Sequence, residues 1–316
     1  MSAWIISMEG AVSQGIIYGI MALGVYLTFR IMDIADLTVD GSFALGSCIC
    51  AALMVNHGMN AVLALILSLG AGILAGAVTG FLHTVLEIPA ILAGILTQIG
   101  LWSINLRIMS GAANIALLNQ KTIFTDFIAF TNWNQSTIVL VLGLIIVAII
   151  IIVLYWLFGT EVGAALRATG NNEDMIRALG VNTKWTKMLA LMISNGLVGL
   201  SGGLVCQMNK FGDINSGTGS IVIGLAAIVI GEMLMQHFHS FGSKLISAIL
   251  GSIIYFVIRA IVLRLGMDPN DMKLLSALLV AVALCIPVLM RKWKIRRAYI
   301  EGDEKSVRVE EYKKDF

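Results

Sequence analysis

Polar side chains inside otherwise apolar stretches are the residues of this sequence best suited to chemistry. Gln98, Trp102 and Asn105 follow one another at i, i+4 and i+7, which places them on one face of a helix. Because a polar group in lipid is costly unless it is paired, such a stripe is a candidate lining for the path of a cargo. Its mixed polar and aromatic character suits an amino acid with a bulky side chain. An inter-helix hydrogen bond combined with core packing explains the same spacing.

Two further groups could likewise line the path of a cargo or have only a structural role. Gln14 and Tyr18 form a similar stripe in the first apolar segment. Arg259 lies five positions before Arg264 in an apolar segment, where it could pair with an acidic group, meet a carboxylate cargo or extend towards the membrane surface. Glu232 ends another apolar run, and we expect it to serve as a structural or gate-closing partner.

Metal binding and catalysis have no candidate constellation in the sequence. Neither the histidines nor the cysteines show metal-ligand spacing, and no Ser/His/Asp or Cys/His arrangement is recognisable. The residues concerned are His57, His83, His237, His239, Cys48, Cys50, Cys206 and Cys285. The sequence also contains no GxxxxGK[ST] run for ATP hydrolysis. We therefore expect no metal, no cofactor and no enzymatic activity.

The composition shows which elements must position the polar residues. Hydrophobic residues make up 58% of the 316 positions and charged residues 13%, whereas soluble domains have about 25% charged residues. So few charges cannot cover so much apolar surface. The composition therefore predicts a polytopic membrane protein and excludes a soluble enzyme, a secreted scaffold and a nucleic-acid binder.

Lipid restricts the spanning segments to helices, so the fold class is an all-α transmembrane bundle. About nine segments are long and apolar enough, with eight to ten as the acceptable range. They are 11–31, 41–56, 61–86, 90–110, 137–158, 186–208, 219–236, 244–265 and 273–290. The seventh is short enough to be a half-helix. Close packing is expected on the face of Gly72, Gly76 and Gly80 and on the face of Asn195, Gly199, Gly202 and Cys206.

The charge distribution predicts an orientation. Nine of the 21 Lys and Arg residues lie at or after Arg291, directly behind an apolar segment. By the positive-inside rule, the membrane domain 1–295 is followed by a cytoplasmic basic tail, 296–316. With nine spans, the polar segment 159–185 lies on the same side of the membrane.

Segment 159–185 is the long polar interruption in the middle of the chain. Its pattern predicts two short helices joined by a turn at Gly170-Asn171-Asn172, with Asn171 or Asn172 capping the second helix and Gly180 ending it. The two helices would form a compact cytoplasmic projection between two spans. A solvated amphipathic loop fits the same residues.

Several stretches resemble the permeases of ATP-binding-cassette importers, in the branch that transports branched-chain amino acids, ribose and related solutes. The resemblance rests on Gly163–Asn171 with Arg177–Val181, on Gly24–Phe43, on Ser103–Met109 and on Gly224–Glu232. The last three match a subgroup associated with amino-acid and aromatic-amino-acid uptake. The chain departs from older importer permeases, whose loop carries a Glu-Ala-Ala run, since only Glu161 and the Ala164–Ala165 pair are similar to it.

The resemblance implies partners and a role for the projection. Such permeases work in the cell membrane with a second permease copy, two cytoplasmic ATPases and an extracytoplasmic binding protein, and a homodimer is expected here. The projection would dock in a groove on the ATPase and convert its closure into helix movement. The coupling residues would be Glu161, Gly163, Arg167, Ala168, Gly170, Asn171, Arg177 and Gly180.

Two questions stay open from the sequence. The acidic loop 31–43, with Asp33, Asp36 and Asp40, could meet a basic ATPase surface or pair with Arg30 and the cations of 167–187. The alternative function is an ion-coupled secondary transporter without ATPases, which predicts carboxylates at the membrane centre and internal repeats.

Overall fold

The computed structural model describes residues 3–118, 120–131, 133–235, 240–268, 271, 274–282, 285, 289, 292 and 293. Within these ranges the chain is almost entirely helical, with one two-stranded sheet. The helices are α1 (Ala3–Tyr26, continued by a π-helical turn Leu27–Ile31), α2 (Thr38–Asn56), α3 (Ala61–Thr84), α4 (Ala90–Ile108), α5 (Ile123–Thr131), α6 (Gln135–Gly159), α7 (Glu161–Asn171), α8 (Glu173–Ala178), α9 (Thr183–Asn209), α10 (Ser220–Leu234) and α11 (Phe241–Arg264). The strands are β1 (Asn114–Ala116) and β2 (Phe211–Asp213), which pair antiparallel.

The prediction of an all-α polytopic membrane protein is confirmed. Among the described residues, seven helices are long and apolar enough to cross a membrane, and α10 is a shorter apolar helix. These eight elements correspond to the first eight predicted spans. Of the ninth, 273–290, residues 274–282 are helical, and several other positions lie outside the described residues. The basic tail 296–316 also lies outside them.

The centre of the bundle is built where α9 meets α2 and α3. A Cβ added to Gly72 would overlap the backbone of Asn195, and one added to Gly76 would overlap the carbonyl of Leu191. Gly46 on α2 meets the carbonyl of Gly199 in the same way. The helices therefore touch backbone to backbone, which provides dispersion contacts that lipid cannot replace. Both predicted glycine faces are confirmed as packing faces.

A closed polar network lies inside this packing. Asp36 Oδ1 accepts the backbone N–H of Thr38 at 2.9 Å, and Asp36 Oδ2 accepts the amide of Asn195 at 2.7 Å. Ser42 donates to Asn195 Oδ1 at 2.7 Å. Asp36 is only 3% exposed, so both interpretations of the acidic loop are wrong at this residue. The carboxylate anchors the start of α2 to α9.

Candidate functional site

A cavity of about 250 Å³ opens between α2, α4 and the turn that precedes α10. Gln98, Trp102 and Asn105 all line it, so the structure brings the predicted α4 stripe together at one place. Asp40, Ser103 and Thr218 line it as well, although no pattern in the sequence assigned them to a path.

Close contact between α2 and α4 fixes one wall of the cavity. A Cβ on Gly41 would stand 3.0 Å from the Cα of Gln98 and 3.0 Å from Cδ1 of Leu101. On α4, a Cβ at Gly94 would stand 2.8 Å from the backbone nitrogen of Leu37. Because no side chain separates the helices there, the polar face of α4 lies directly beside the start of α2.

Asp40, which also lines the cavity, caps α10. Its Oδ2 accepts the backbone N–H of Gly219 and its Oδ1 that of Ile221, both at 2.9 Å. A carboxylate at this position compensates the partial positive charge of the helix N-terminus. The expectation that Asp40 meets an ATPase or Arg30 is therefore wrong. The contact makes α10 begin against α2 inside the bundle, as a half-helix does.

Asn105 is the cavity-lining residue whose side-chain hydrogen bonding is incomplete within the described residues. Its side chain is 1% exposed, yet its Oδ1 has no hydrogen-bond partner among the described residues. An unpaired buried acceptor costs about 1–3 kcal/mol, so it favours a ligand that donates a hydrogen bond. Trp102, next to it, is 52% exposed and offers a ring face. The wall can accept a hydrogen bond and contact an aromatic or apolar group.

The other predicted path residues lie elsewhere, where α1 meets α11. The Tyr18 ring stacks on Phe43 with centroids 5.3 Å apart, and it packs at a tilt against Phe256 with centroids 4.6 Å apart. Arg259 lies over the Phe256 ring at 5.7 Å, and no described carboxylate pairs with it. Gln14 is exposed. The six predicted path residues thus form two separate groups, and their role in a path stays a prediction.

The segment 159–185 folds into two helices, as predicted. Thr160 caps α7 by accepting the N–H of Gly163, and a Cβ on Gly163 would overlap the end of α6. Arg167 donates to the carbonyl of Phe158 at 2.9 Å. A Cβ on Gly170 would overlap the carbonyl oxygen of Ile31. We call residues 161–181 the projection; these contacts attach it to the ends of α6 and α1.

The second half of the projection carries the remaining predicted features. Asn172 caps α8 through the N–H of Met175, and Gly180 follows α8 with φ +86°. Glu173 pairs with Lys187 and with Arg177. The hydrogen bond from Lys187 is the main cause that lowers the pKa of Glu173 below its ordinary value. Ala168 is half-buried, whereas Glu161 and Asn171 are exposed.

Comparison with known proteins agrees with a multi-pass transport subunit. A family model described as the permease component of branched-chain amino acid transport systems matches residues 7–284. The tyrosine transport system permease protein of Clostridioides difficile is 40% identical over 280 residues, which cover 88% of this chain and 91% of that protein. An uncharacterized protein of Rickettsia prowazekii is 35% identical over 277 residues, covering 87% and 95%. The ribose import permease protein RbsC of Escherichia coli is 24% identical over 276 residues, covering 86% and 83%.

A helical bundle with seven described spans and this match define a multi-pass membrane permease. The chain belongs to the family of permease components of branched-chain amino acid transport systems. It is a permease subunit of an ATP-binding-cassette transport system, which confirms the resemblance seen in the sequence. This assignment disfavours the alternative function, an ion-coupled secondary transporter without ATPases.

Proposed function

We propose that this permease moves an amino acid with an aromatic or other hydrophobic side chain into the cell. The observation that carries the cargo proposal is the unpaired Oδ1 of Asn105 at the wall of the α2–α4 cavity. An α-ammonium group can donate to this oxygen, and the hydroxyls of Ser103 and Thr218 can donate to an α-carboxylate. Trp102 provides an apolar ring face for the side chain. The tyrosine permease relative supports the same cargo class.

Uptake of labelled tyrosine by proteoliposomes that contain the complete transporter tests the cargo site. Asn105→Leu removes the acceptor, and we expect at least about a tenfold loss of uptake because the ammonium then has no partner. Asn209→Leu, the same change on the exposed end of α9, is the matched control and should retain uptake. Unchanged tyrosine uptake in Asn105→Leu would contradict the proposed cargo site. It would not contradict the assignment of the chain as a transport permease.

The projection is proposed to dock on the ATPase. Met175 and Leu179 on its outer side are 49% and 72% exposed, which is unusual for large apolar groups outside the spans. Trp185, at the start of α9, is 52% exposed. The backbone contact between Gly170 and Ile31 would transmit a displacement of the projection to the end of α1. The proposed coupling residues are those named from the sequence, with these apolar side chains added.

Substitution of the outer side of the projection tests docking. Leu179→Arg, and separately Arg167→Glu, should abolish transport and transport-coupled ATP hydrolysis while the subunit stays in the membrane. Leu118→Arg is the control, because Leu118 is 78% exposed but lies outside the projection. Normal stimulation of the ATPase in the Leu179→Arg variant would contradict the docking assignment.

The proposed assembly contains two permease subunits because one copy of this chain would provide only half of a two-fold pore. It comprises a second copy of this chain, two cytoplasmic ATPases and an extracytoplasmic binding protein, with the C-terminus in the cytoplasm. The family assignment supports the ATPases and the binding protein. Mass measurement of the purified complex tests the homodimer: two permease chains per complex are expected, and one would contradict it.

A further inference from the structure

A second, polar cavity of about 500 Å³ lies at the base of the projection, away from the α2–α4 cavity. Three cationic side chains converge on it from three elements: Arg30 at the end of α1, Arg167 on α7 and Lys244 on α11. Tyr26, Asn171 and Phe241 complete its lining. The proposed cargo does not account for this cavity, and Arg167, Gly170 and Asn171 of its lining are also among the proposed coupling residues.

The charges in this basal cavity are not balanced within the described residues. Arg30 is neutralised by Glu232, with Nε 2.6 Å from Oε1. Arg167 instead donates to the backbone carbonyl of Phe158, and its guanidinium lies 5.7 Å from the centre of the Phe241 ring. No described carboxylate pairs with Arg167 or Lys244. Two cations therefore face the cavity, and Arg167 is held in a fixed position.

The position of the cavity relative to the lipid indicates the kind of anion. At the end of α6, Tyr155 and Trp156 are 58% and 70% exposed. Aromatic side chains of this kind concentrate at the headgroup level of a membrane. The Tyr155 ring lies beside Gly242, next to Phe241 of the cavity lining. These aromatic residues favour a position of the basal cavity at the depth of lipid phosphates, with the apolar face of α6 beside it.

We propose that the basal cavity binds the headgroup phosphate of an anionic phospholipid, with Arg167 and Lys244 as its charged ligands. Basic pockets between spanning helices at the cytoplasmic surface recognise such headgroups. The acyl chains would lie along the exposed side of α6. The bound lipid would join the projection to α11 and to the end of α1, so it would stabilise the region that is proposed to receive the ATPase.

Native mass spectrometry of the purified full-length chain tests this site. The protein is mixed with equal amounts of phosphatidylglycerol and phosphatidylcholine that carry the same acyl chains. Wild type should retain phosphatidylglycerol preferentially. Lys244→Gln should lower that preference by about fivefold, and Arg167→Gln combined with Lys244→Gln by roughly the square of that factor, since each cation near a lipid surface acts independently.

Three comparisons decide the outcome. Lys184→Gln removes an exposed cation outside the cavity, paired with Glu87, and should keep the wild-type preference. Lys244→Arg preserves the charge and should keep it too, which separates charge from folding. An unchanged preference in Lys244→Gln would overturn the proposal. So would displacement of the lipid by millimolar inorganic phosphate, because the ligand would then be a soluble anion.

Discussion

Two asparagines are buried among the spanning helices, and their surroundings are opposite. Asn195 on α9 uses both ends of its amide: it donates to Asp36 and to the carbonyl of Leu191, and it accepts from Ser42. Asn105 on α4 is equally buried, yet its Oδ1 has no partner in the part of the chain that the structure describes, and a cavity adjoins it. The same residue type therefore completes a network in one place and presents an acceptor oxygen to a cavity in the other.

The difference follows from the packing around each residue. Around Asn195, Gly72 and Gly46 bring the backbones of α3, α2 and α9 into contact, so no space remains for a ligand. Beside Asn105, α10 starts as a half-helix capped by Asp40, and the turn before it leaves a cavity. A closed network contributes to stability, whereas an open one is available for recognition.

The largest effect that would test this contrast is expected for Asn195→Leu. Removing the amide leaves the Asp36 carboxylate without one of its two hydrogen bonds and Ser42 without its acceptor, both in the interior. We expect the free energy of unfolding to fall by about 3 kcal/mol. Thermal unfolding of the purified protein in detergent measures it.

Asn105→Leu is the internal control for that experiment. It removes an Oδ1 that has no partner among the described residues, so no donor is left behind and stability should stay within about 0.5 kcal/mol of wild type. If both variants lose the same stability, the distinction between the two asparagines is wrong.

A smaller effect is expected from the glycines of the closed region. Gly46→Ala places a methyl group against the carbonyl of Gly199 and must push α2 away from α9. We expect a loss of about 2 kcal/mol, typical of overpacking. Gly70→Ala on α3 meets nothing within 4 Å and should be neutral or stabilising by up to about 1 kcal/mol, as alanine is the better helix former. Equal melting temperatures for the two variants would refute backbone contact as the basis of this packing.

Much of the fold could be predicted because it depends on local patterns. The length of the apolar segments predicted the spans, and the spacing of small residues predicted the packing faces of Gly72 and Gly199. Capping residues predicted the two helices of the projection. The spacing of Gln98, Trp102 and Asn105 also located one wall of the cavity. In each case residues within one helix are sufficient to define the feature.

The failures concern partners that are distant in sequence. Asp40 pairs with the backbone of residue 219, and Asp36 with Asn195, so no local spacing signals either contact. Their acidic character instead suggested cationic partners. The cap on α10 had one available signal, a short apolar helix after a glycine-rich turn with no capping side chain of its own. Such a helix requires a cap from elsewhere.

The smallest effect is expected for the partly exposed ion pair that Glu173 of the projection forms with Lys187. Because Lys187 lowers the pKa of Glu173 in the folded state, the pair stabilises the protein above the ordinary pKa of 4.5, and this contribution is lost as the pH falls through the lowered value. Glu173 is partly solvated, so Glu173→Gln should cost only about 0.5 kcal/mol at neutral pH and nothing in acid.

Asp174→Asn is the matched control, because Asp174 is 95% exposed and lies 3.9 Å from Arg177. Hydrogen exchange of α8 amides at neutral and acidic pH measures the difference, and an equal effect of Glu173→Gln at both pH values would show that the ion pair is not its cause.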